Sequence, residues 1–180
     1  MNKFIFLDRD GVINKKIQDG YVTQYEEFIF LHKVREALQI LHQNQIQVIV
    51  ITNQQCIGKK IIGKDDLLKI HKKMVEEIKN FGGEVLDIFY CPHLSSDNCS
   101  CRKPKPGMLF EASKKYDIDL NKTYFIGDSI SDIQAGKSAG TKTIYLEDKY
   151  NLQKSSQSNA DQIFKNLYEA VEFILSEKVI

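Results

Sequence analysis

The chain has 180 residues, of which 42% are hydrophobic, so it is long enough to bury a sizeable core in one domain. Its 25 basic and 24 acidic residues give a net charge of +1, which excludes the strongly basic composition typical of nucleic-acid or membrane-surface binding. No apolar run is long enough to act as a secretion signal or to cross a bilayer. We therefore expect a soluble cytoplasmic protein with reduced cysteines, one domain over residues 1–180, and no nucleic-acid or membrane partner.

Two kinds of apolar pattern alternate along the chain. Five short runs rich in β-branched and aromatic residues are typical of buried parallel strands, at residues 3–8, 47–53, 85–91, 123–128 and 141–146. Between them, apolar residues at helical spacing predict amphipathic helices. One predicted helix face carries Val34, Ala37, Leu38 and Leu41, and the next carries Leu67, Ile70, Met74, Ile78 and Phe81.

Capping signals predict three further helices. One begins near Pro106, and another begins near Ser131 and ends at Gly140. A last helix covers residues 166–175, with Asn166 and Glu169 placed as a capping box, and the polar stretch 147–162 is predicted to be a loop. Strand–helix alternation of this kind predicts a Rossmann-like, doubly wound α/β fold with a parallel sheet.

Polar residues recur where the predicted strands end. In an open parallel sheet, the loops beyond the carboxyl ends of the strands form the ligand site, so the fold should bring these residues together. The residues at these ends are Asp8, Thr52, Asn53, Cys91 and Asp128.

Two acidic motifs bear on the chemistry of this site. Asp8 and Asp10, followed by Gly11, could simply form the turn that ends a strand. However, Asp128 ends another predicted strand and Asp132 follows one helical turn later, which turn chemistry would not require. Two carboxylates from separate strand ends can hold one Mg²⁺, so the pair of motifs favours a functional interpretation.

Four motifs in this order resemble those of the haloacid dehalogenase superfamily of phosphotransferases. They are "DRDG" at 8–11, "ITN" at 51–53, "RKPKPG" at 102–107 and "GDSISD" at 127–132, and the resemblance extends from residue 4 to about residue 146. It implies a phosphatase in which Asp8 is the nucleophile that forms an aspartyl-phosphate, and Asp10 is the general acid and then the general base.

The resemblance also implies the ligands of the metal and of the phosphoryl group. Asp8, the backbone carbonyl of Asp10, and Asp128 would hold a catalytic Mg²⁺. Thr52 and Lys103 would grip the phosphoryl oxygens, as positioning and charge stabilisation require. Asp132 would orient its neighbours instead of binding the metal.

The spacing of the motifs leaves no room for a large cap domain. Roughly forty residues separate the first and second motifs, and roughly fifty separate the second and third. Single helices and short loops fill both gaps, so loops are expected to control access of the substrate.

A cluster of cysteines and one histidine precedes the third motif. Three thiolates and an imidazole suit a closed, structural zinc site, although free thiols with a surface histidine are the alternative. The segment has few apolar residues, so zinc would supply its folding energy and would fix Arg102 and Lys103 at the site. The fourth cysteine, Cys56, is expected to be a plain thiol. The predicted zinc ligands are Cys91, His93, Cys99 and Cys101.

The combined motifs resemble the zinc-containing branch of these phosphatases. Its members remove the 7-phosphate of D-glycero-D-manno-heptose 1,7-bisphosphate or hydrolyse histidinol phosphate. Residues 19–21 ("DGY") and 106–108 ("PGM") resemble the heptose members, whereas the short zinc loop resembles the histidinol members. Residues 56–60 ("CIGKK") depart from the Gly-Ile-Ala-Arg-Gly usual in the heptose members. Matching positions imply substrate contacts, although ordinary loop polarity is the alternative for each residue and above all for Gln18 and Gln55. The residues are Gln18, Asp19, Gly20, Tyr21, Thr52, Asn53, Gln54, Gln55, Arg102 and Lys103.

The favoured interpretation is a monomeric, Mg²⁺-dependent phosphatase with a structural zinc ion that removes the 7-phosphate of the heptose bisphosphate. The second phosphate group of this bisphosphate is a dianion, which suits the cations Arg102, Lys59 and Lys60. The activity would supply heptose precursors for lipopolysaccharide or another surface glycan. The first alternative is a histidinol-phosphate phosphatase of histidine biosynthesis. A non-catalytic zinc-bearing binding module is the second alternative, and the presence of every residue that the mechanism needs argues against it.

Overall fold

The structure is a computed structural model that describes residues 3–147 and 157–177. Six parallel strands form one sheet in the order β3-β2-β1-β4-β5-β6. The strands are β1 (Lys3–Leu7), β2 (Ile46–Asn53), β3 (Asp87–Cys91), β4 (Tyr124–Gly127), β5 (Lys142–Leu146) and β6 (Gln162–Phe164). The α-helices are α1 (Val34–Gln43), α2 (Lys64–Asn80), α3 (Gly107–Tyr116), α4 (Ile130–Ala139) and α5 (Leu167–Ser176).

The sheet is buried on both faces, which explains the continuous apolar runs of its strands. Along β1, Ile5 and Leu7 join the core beneath α1, α2 and α5, whereas Phe4 and Phe6 join the core beneath α3 and α4. This arrangement confirms the predicted doubly wound α/β fold.

The winding reverses between β1 and β4, which pair directly at the centre of the sheet. The register places Leu7 opposite Ile126, and the Asp8 backbone N–H donates to the Ile126 carbonyl at 2.9 Å. Such a reversal opens a crevice beyond the carboxyl ends of the strands. The pairing therefore brings Asp8 and Asp128, which follow β1 and β4, to one crevice.

Most of the predicted elements are confirmed, and three details are wrong. The predicted loop over 147–162 overlaps the start of β6, because Gln162 is the first residue of that strand. Strand β6 has three residues and is too short and too exposed to show an apolar pattern. Residues 148–156 of the predicted loop lie outside the described residues. Phe81 follows α2 as its C-cap and is 46% exposed, so it does not belong to the buried face. Asn166 caps α5, but Glu169 accepts from the Lys165 backbone N–H instead of closing the capping box.

Loops, and no cap domain, surround the crevice in the described part of the chain. Between β1 and β2 the chain forms a 3₁₀ turn at Tyr25–Glu27 and helix α1, and between β2 and the third motif it forms α2, β3 and the cysteine-rich loop. Among the described helices, none combines the length and the apolar character needed to cross a membrane.

Candidate active site

Three carboxylates meet in the crevice between β1 and β4. Oxygens of Asp8, Asp128 and Asp132 lie within 4.8 Å of one another. Asp128 Oδ1 is buried and has no hydrogen-bond partner among the described residues. Carboxylates this close repel each other, and oxygen ligands are those that Mg²⁺ prefers. The donor set therefore fits a divalent hard cation.

A glycine lets the first loop approach this triad. Gly11 has φ of +96°, and a Cβ atom placed on it would lie 2.2 Å from Asp128 Oδ2. Glycine populates this backbone region without strain, and it has no side chain to displace the carboxylate. The position after Asp10 in the first motif must therefore be glycine for the acidic site to form.

Lys103 supplies a buried positive charge to the triad. Its Nζ donates to Asp8 Oδ1 at 2.7 Å and to the Ile51 carbonyl at 2.8 Å, and it lies 2.6 Å from Asp132 Oδ1. Burial lowers the pKa of Lys103, but Asp132 and Asp8 outweigh burial and hold that pKa above its ordinary value. The ammonium is therefore charged and placed beside the predicted nucleophile.

The protonation of Asp8 responds to the same surroundings. Burial raises the pKa of Asp8 to about 7, with repulsion from Asp132 and Asp128 adding to the effect and Lys103 opposing it. A cation bound by these oxygens would favour the carboxylate form that a nucleophile needs.

Asp132 is held by the helix that it caps. Its Oδ2 accepts from the Ser129 backbone N–H at 3.0 Å and from Ser129 Oγ at 2.6 Å, while the other oxygen faces Lys103. Ser129 and Asp132 thus form a capping box at the N-terminus of α4. This position suits the expected role of Asp132 in orienting Lys103.

The Asp10 side chain is held by three polar neighbours that lie outside the triad. Both of its oxygens accept from Arg9 Nη2, at 3.0 and 2.9 Å, and it also accepts from Asn14 Nδ2 and Gln54 Nε2, each at 2.9 Å. Burial raises the pKa of Asp10, but the charge of Arg9 and the hydrogen bonds from Asn14, Arg9 and Gln54 outweigh burial and lower that pKa. The carboxylate is thus fixed by three neighbours at the edge of the crevice.

Behind Asp10 lies a buried pair that the sequence analysis missed. Arg9 is 1% exposed, and its Nη1 lies 3.0 Å from Nε2 of His71, which is also buried. Burial, and then the charge of Arg9, lower the pKa of His71 to about 3, so the ring is neutral. A signal was present, because His71 lies between Leu67 and Met74 on the apolar face of α2, where a polar residue needs a partner.

Three residues that are predicted to contact the substrate also tie the motifs to one another. The Asn53 side chain donates to the Lys103 carbonyl and accepts from the Lys103 backbone N–H, both at 3.1 Å. Gln54 donates to Thr52 Oγ1 at 2.9 Å in addition to Asp10. Asn53 and Gln54 therefore hold the second motif against the third and the first, with Thr52 buried beside Gln54.

The remaining predicted contacts form a polar rim. Gln55 donates to the Tyr21 hydroxyl at 2.7 Å and accepts from Arg102 Nη2 at 3.2 Å, and Arg102 Nη1 reaches the His93 carbonyl at 3.4 Å. Lys59 Nζ lies 5.3 Å from the centre of the Tyr21 ring. The exposed residues Gln18, Asp19 and Gly20 form the turn before Tyr21.

A second cation at the triad was not predicted. Lys16 Nζ donates to Asp128 Oδ2 at 2.9 Å, and its side chain is 55% exposed. Its position in a polar loop after the first motif gave no periodic signal. Lys16 balances part of the negative charge of the acidic triad in the described structure.

The predicted zinc ligands lie together beside β3. Sulfurs of Cys91, Cys99 and Cys101 are 3.2–3.6 Å apart, and His93 Nδ1 lies 3.5 Å from the Cys91 sulfur and 3.2 Å from the Cys101 sulfur. All four cysteines of the chain are free. Sulfurs on one tetrahedral zinc ion are about 3.8 Å apart. The spacing therefore fits one shared metal ion, and Cys56 lies outside the cluster, as predicted.

Comparison with known proteins agrees with the fold and the site. The family described as polynucleotide kinase 3 phosphatase matches residues 3–178. The crystal structure of D,D-heptose 1,7-bisphosphate phosphatase from Bordetella bronchiseptica, complexed with magnesium and phosphate, is 34% identical with a TM-score of 0.91, covering 97% of this chain and 99% of that one. These matches and the acidic crevice define a phosphatase of the haloacid dehalogenase type.

Sequence similarity to curated relatives identifies the particular family within this type of phosphatase. D-glycero-beta-D-manno-heptose-1,7-bisphosphate 7-phosphatase from Neisseria meningitidis serogroup A is 35% identical, over 97% of this chain and 96% of the relative. D-glycero-alpha-D-manno-heptose-1,7-bisphosphate 7-phosphatase from Campylobacter jejuni is 34% identical, over 98% of both chains. The chain belongs to the D-glycero-D-manno-heptose-1,7-bisphosphate 7-phosphatase family.

Proposed function

We propose that this chain is a Mg²⁺-dependent phosphatase that removes the 7-phosphate of D-glycero-D-manno-heptose 1,7-bisphosphate. The observation that carries the proposal is the buried contact of Asp8 with Lys103, beside two further carboxylates whose oxygens fit a divalent cation. The relatives named for this substrate, and the magnesium and phosphate in the Bordetella structure, support it.

Asp8 acts as the nucleophile. Its carboxylate oxygen attacks phosphorus, the bond from phosphorus to the sugar oxygen breaks, and Asp10 gives that oxygen a proton. Water then attacks the phosphorus of the aspartyl-phosphate while Asp10 takes a proton from the water. The bond between phosphorus and the Asp8 oxygen breaks, which frees inorganic phosphate and regenerates the Asp8 carboxylate. Lys103 and Thr52 hold the phosphoryl oxygens through both steps. Mg²⁺, held by Asp8, Asp128 and the Asp10 carbonyl, would neutralise charge on the phosphoryl group.

The change of role at Asp10 follows from its surroundings. In the described structure the Arg9 guanidinium and two amides favour its ionised form. A phosphoryl dianion entering the crevice raises the pKa of a nearby carboxyl by repulsion, which favours its acid form for the first step. Once the sugar alcohol leaves, the ionised form is the base for the second step.

The rim recognises the part of the substrate that does not react. Arg102 is held by Gln55 and by the His93 carbonyl, so its forked donors are already oriented for a phosphate or a hydroxyl. Lys59 adds a second cation next to Tyr21. Histidinol phosphate carries an ammonium group at the corresponding end, which these cations would repel. The rim therefore favours the bisphosphate over this first alternative.

The cysteine-rich loop holds a structural zinc ion. Four protein ligands fill a tetrahedral shell and leave no open position for a substrate. The backbone carbonyl of one of these ligands, His93, also accepts a hydrogen bond from Arg102. Zinc therefore fixes the recognition loop and takes no part in the chemistry.

Two broader expectations accompany this assignment. Strands from both ends of the described chain join one sheet, which supports a single phosphatase domain over residues 1–180. The free cysteines are consistent with a cytoplasmic location and with a zinc site in place of disulfides.

A kinetic panel tests the assignment. It compares both anomers of the heptose bisphosphate, histidinol phosphate, a DNA strand with a 3′-phosphate, and a small generic phosphate ester. We expect the highest kcat/KM for the bisphosphate, with release of one equivalent of phosphate. Equal or greater efficiency on histidinol phosphate would overturn the assignment, and preference for the DNA strand would point to the activity after which the matched family is described.

A further inference from the structure

Arg9 lies between two partners of opposite character. Its Nη2 donates to both oxygens of Asp10, and its Nη1 contacts Nε2 of His71 at 3.0 Å. A guanidinium has no acceptor, so the ring nitrogen must accept this hydrogen bond. Arg9 therefore links a buried neutral histidine on α2 to the carboxylate at the edge of the crevice.

The burial of this link makes its geometry demanding. Arg9 is 1% exposed and His71 is 5% exposed, and Arg9 Nε has no hydrogen-bond partner among the described residues. A buried guanidinium that also lost its contact to His71 would have further unpaired donors and would turn to satisfy them. Because the guanidinium is planar and rigid, any such turn also moves the two bonds that hold Asp10.

The fold explains why the acceptor comes from α2. This helix packs on the same core as Ile5 and Leu7 of β1, and His71 occupies its buried face between Leu67 and Met74. The ring also meets Tyr90 of β3 edge to face, with ring centres 5.9 Å apart. His71 is thus fixed from two sides and offers a rigid acceptor to Arg9.

We propose that His71 is a positioning residue that acts through Arg9 to hold the Asp10 carboxylate in the orientation needed for proton transfer. The inference rests on the proposed role of Asp10 as general acid and base. It adds a residue from α2, 61 positions beyond Asp10 in the chain, to the residues that support the reaction.

Leaving-group dependence separates this role from simple packing. An alkyl phosphate needs a proton on its leaving oxygen, whereas 4-nitrophenyl phosphate releases a stable anion and needs little help. The quantity to compare is kcat/KM, because it reports steps up to formation of the aspartyl-phosphate and excludes the later hydrolysis. His71→Leu removes the acceptor at similar volume, and His71→Gln keeps an acceptor near the position of Nε2.

We expect His71→Leu to lower kcat/KM for an alkyl phosphate by about 10- to 100-fold, part of the range supplied by general acid catalysis. The value for 4-nitrophenyl phosphate should change by less than about threefold, and His71→Gln should restore most of the alkyl activity. Met74→Leu, on the same helix face, controls for repacking of the core. Equal losses on both esters, or no rescue by His71→Gln, would overturn the proposal.

Two further variants keep the test decisive. Asp10→Asn should lower kcat/KM for the alkyl phosphate more than His71→Leu does, and again with little effect on 4-nitrophenyl phosphate. If Asp10→Asn shows no such selective loss, the proposed role of Asp10 is wrong, and this failure is distinguished from a failure of the proposal on His71. Arg9→Lys replaces the fork by a point charge that cannot hold both partners in fixed geometry. If His71→Leu does not fold, Arg9→Lys carries the test, and retention of full alkyl activity would exclude the link.

Discussion

Lys103 and Asp8, 95 positions apart in the chain, are joined by a buried hydrogen bond of 2.7 Å. The contact forms because β1 and the third motif meet at the crevice, where Lys103 also reaches Asp132. It places a charged ammonium group beside the carboxylate of the proposed nucleophile.

Asp8→Asn should abolish turnover, because an amide cannot attack phosphorus. The melting temperature of the metal-free variant should stay the same or rise, because burial and carboxylate repulsion destabilise ionised Asp8 in the folded chain. Phosphate release and thermal unfolding measure the two effects. Turnover comparable to that of the wild type, in protein checked for deamidation, would contradict the covalent mechanism.

Gly11→Ala should weaken Mg²⁺ binding by at least about tenfold, because a loss of only about 1.4 kcal/mol of binding free energy lowers the affinity tenfold. The left-handed backbone at this position strains any other residue, and the new methyl group would displace the Asp128 carboxylate. Titration of activity with Mg²⁺ measures the change. Gly63→Ala, where a Cβ atom would meet only Asp66 at 3.4 Å, is the matched control. Unchanged Mg²⁺ dependence in Gly11→Ala would show that Asp128 is not a ligand.

Cys101→Ser should release zinc and loosen the loop that carries Arg102. Purified wild-type protein should hold about one zinc ion per chain, as a closed four-ligand site requires. Losing a fixed charged hydrogen bond costs about 1–3 kcal/mol, so KM for the bisphosphate should rise by about tenfold or more. Metal analysis and steady-state kinetics measure both, and Cys56→Ala should keep its zinc. Full activity in zinc-free protein would refute the scaffold role.

Arg102→Ala should reduce the preference for the bisphosphate over a small phosphate ester by roughly 1–3 kcal/mol, the range for a charged hydrogen bond. The small ester does not reach the rim, so its kcat/KM should change less. Lys122→Ala, which removes an exposed cation elsewhere on the surface, is the control. A parallel fall for both substrates would assign Arg102 to the reaction centre and not to recognition.

His71 should make the folded chain less stable in acid. Its pKa is about 3 in the folded chain and about 6.5 in an unfolded one, so between these values the unfolded chain binds the extra proton. Stability therefore falls as pH falls through this window, by about 1.4 kcal/mol per pH unit from this group. Urea unfolding at a series of pH values from 7 to 4 gives the free energy of unfolding, which should fall less steeply with falling pH in His71→Gln than in the wild type. Identical slopes for His71→Gln and wild type would place the ring in contact with water.

The sequence pattern predicted the sheet and the positions of Asp8 and Asp128 at strand ends, because short segments of sequence are enough to indicate both. Strands buried on both faces show unbroken apolar runs, and the residues after them mark the crevice. The exposed three-residue β6 has no such run. The hydrogen bonds by which Asn53 and Gln54 join the second motif to the third and to the first were not predicted, because only the folded chain brings these motifs near one another. Arg9 and His71 were missed as a pair. The polar His71 on the apolar face of α2 indicated that it needs a partner, but 62 positions separate it from Arg9, so the spacing could not identify that partner.

The central strands β1 and β4 deliver Asp8 and Asp128, whereas the partners of Arg102 come from the segments after β2 and β3. The acidic triad and the polar rim are therefore carried by different segments of the chain. We therefore expect mutations in the rim to change which phosphate ester is accepted while the acidic triad continues to support hydrolysis. On that expectation, a change of substrate during evolution would not require an inactive intermediate protein.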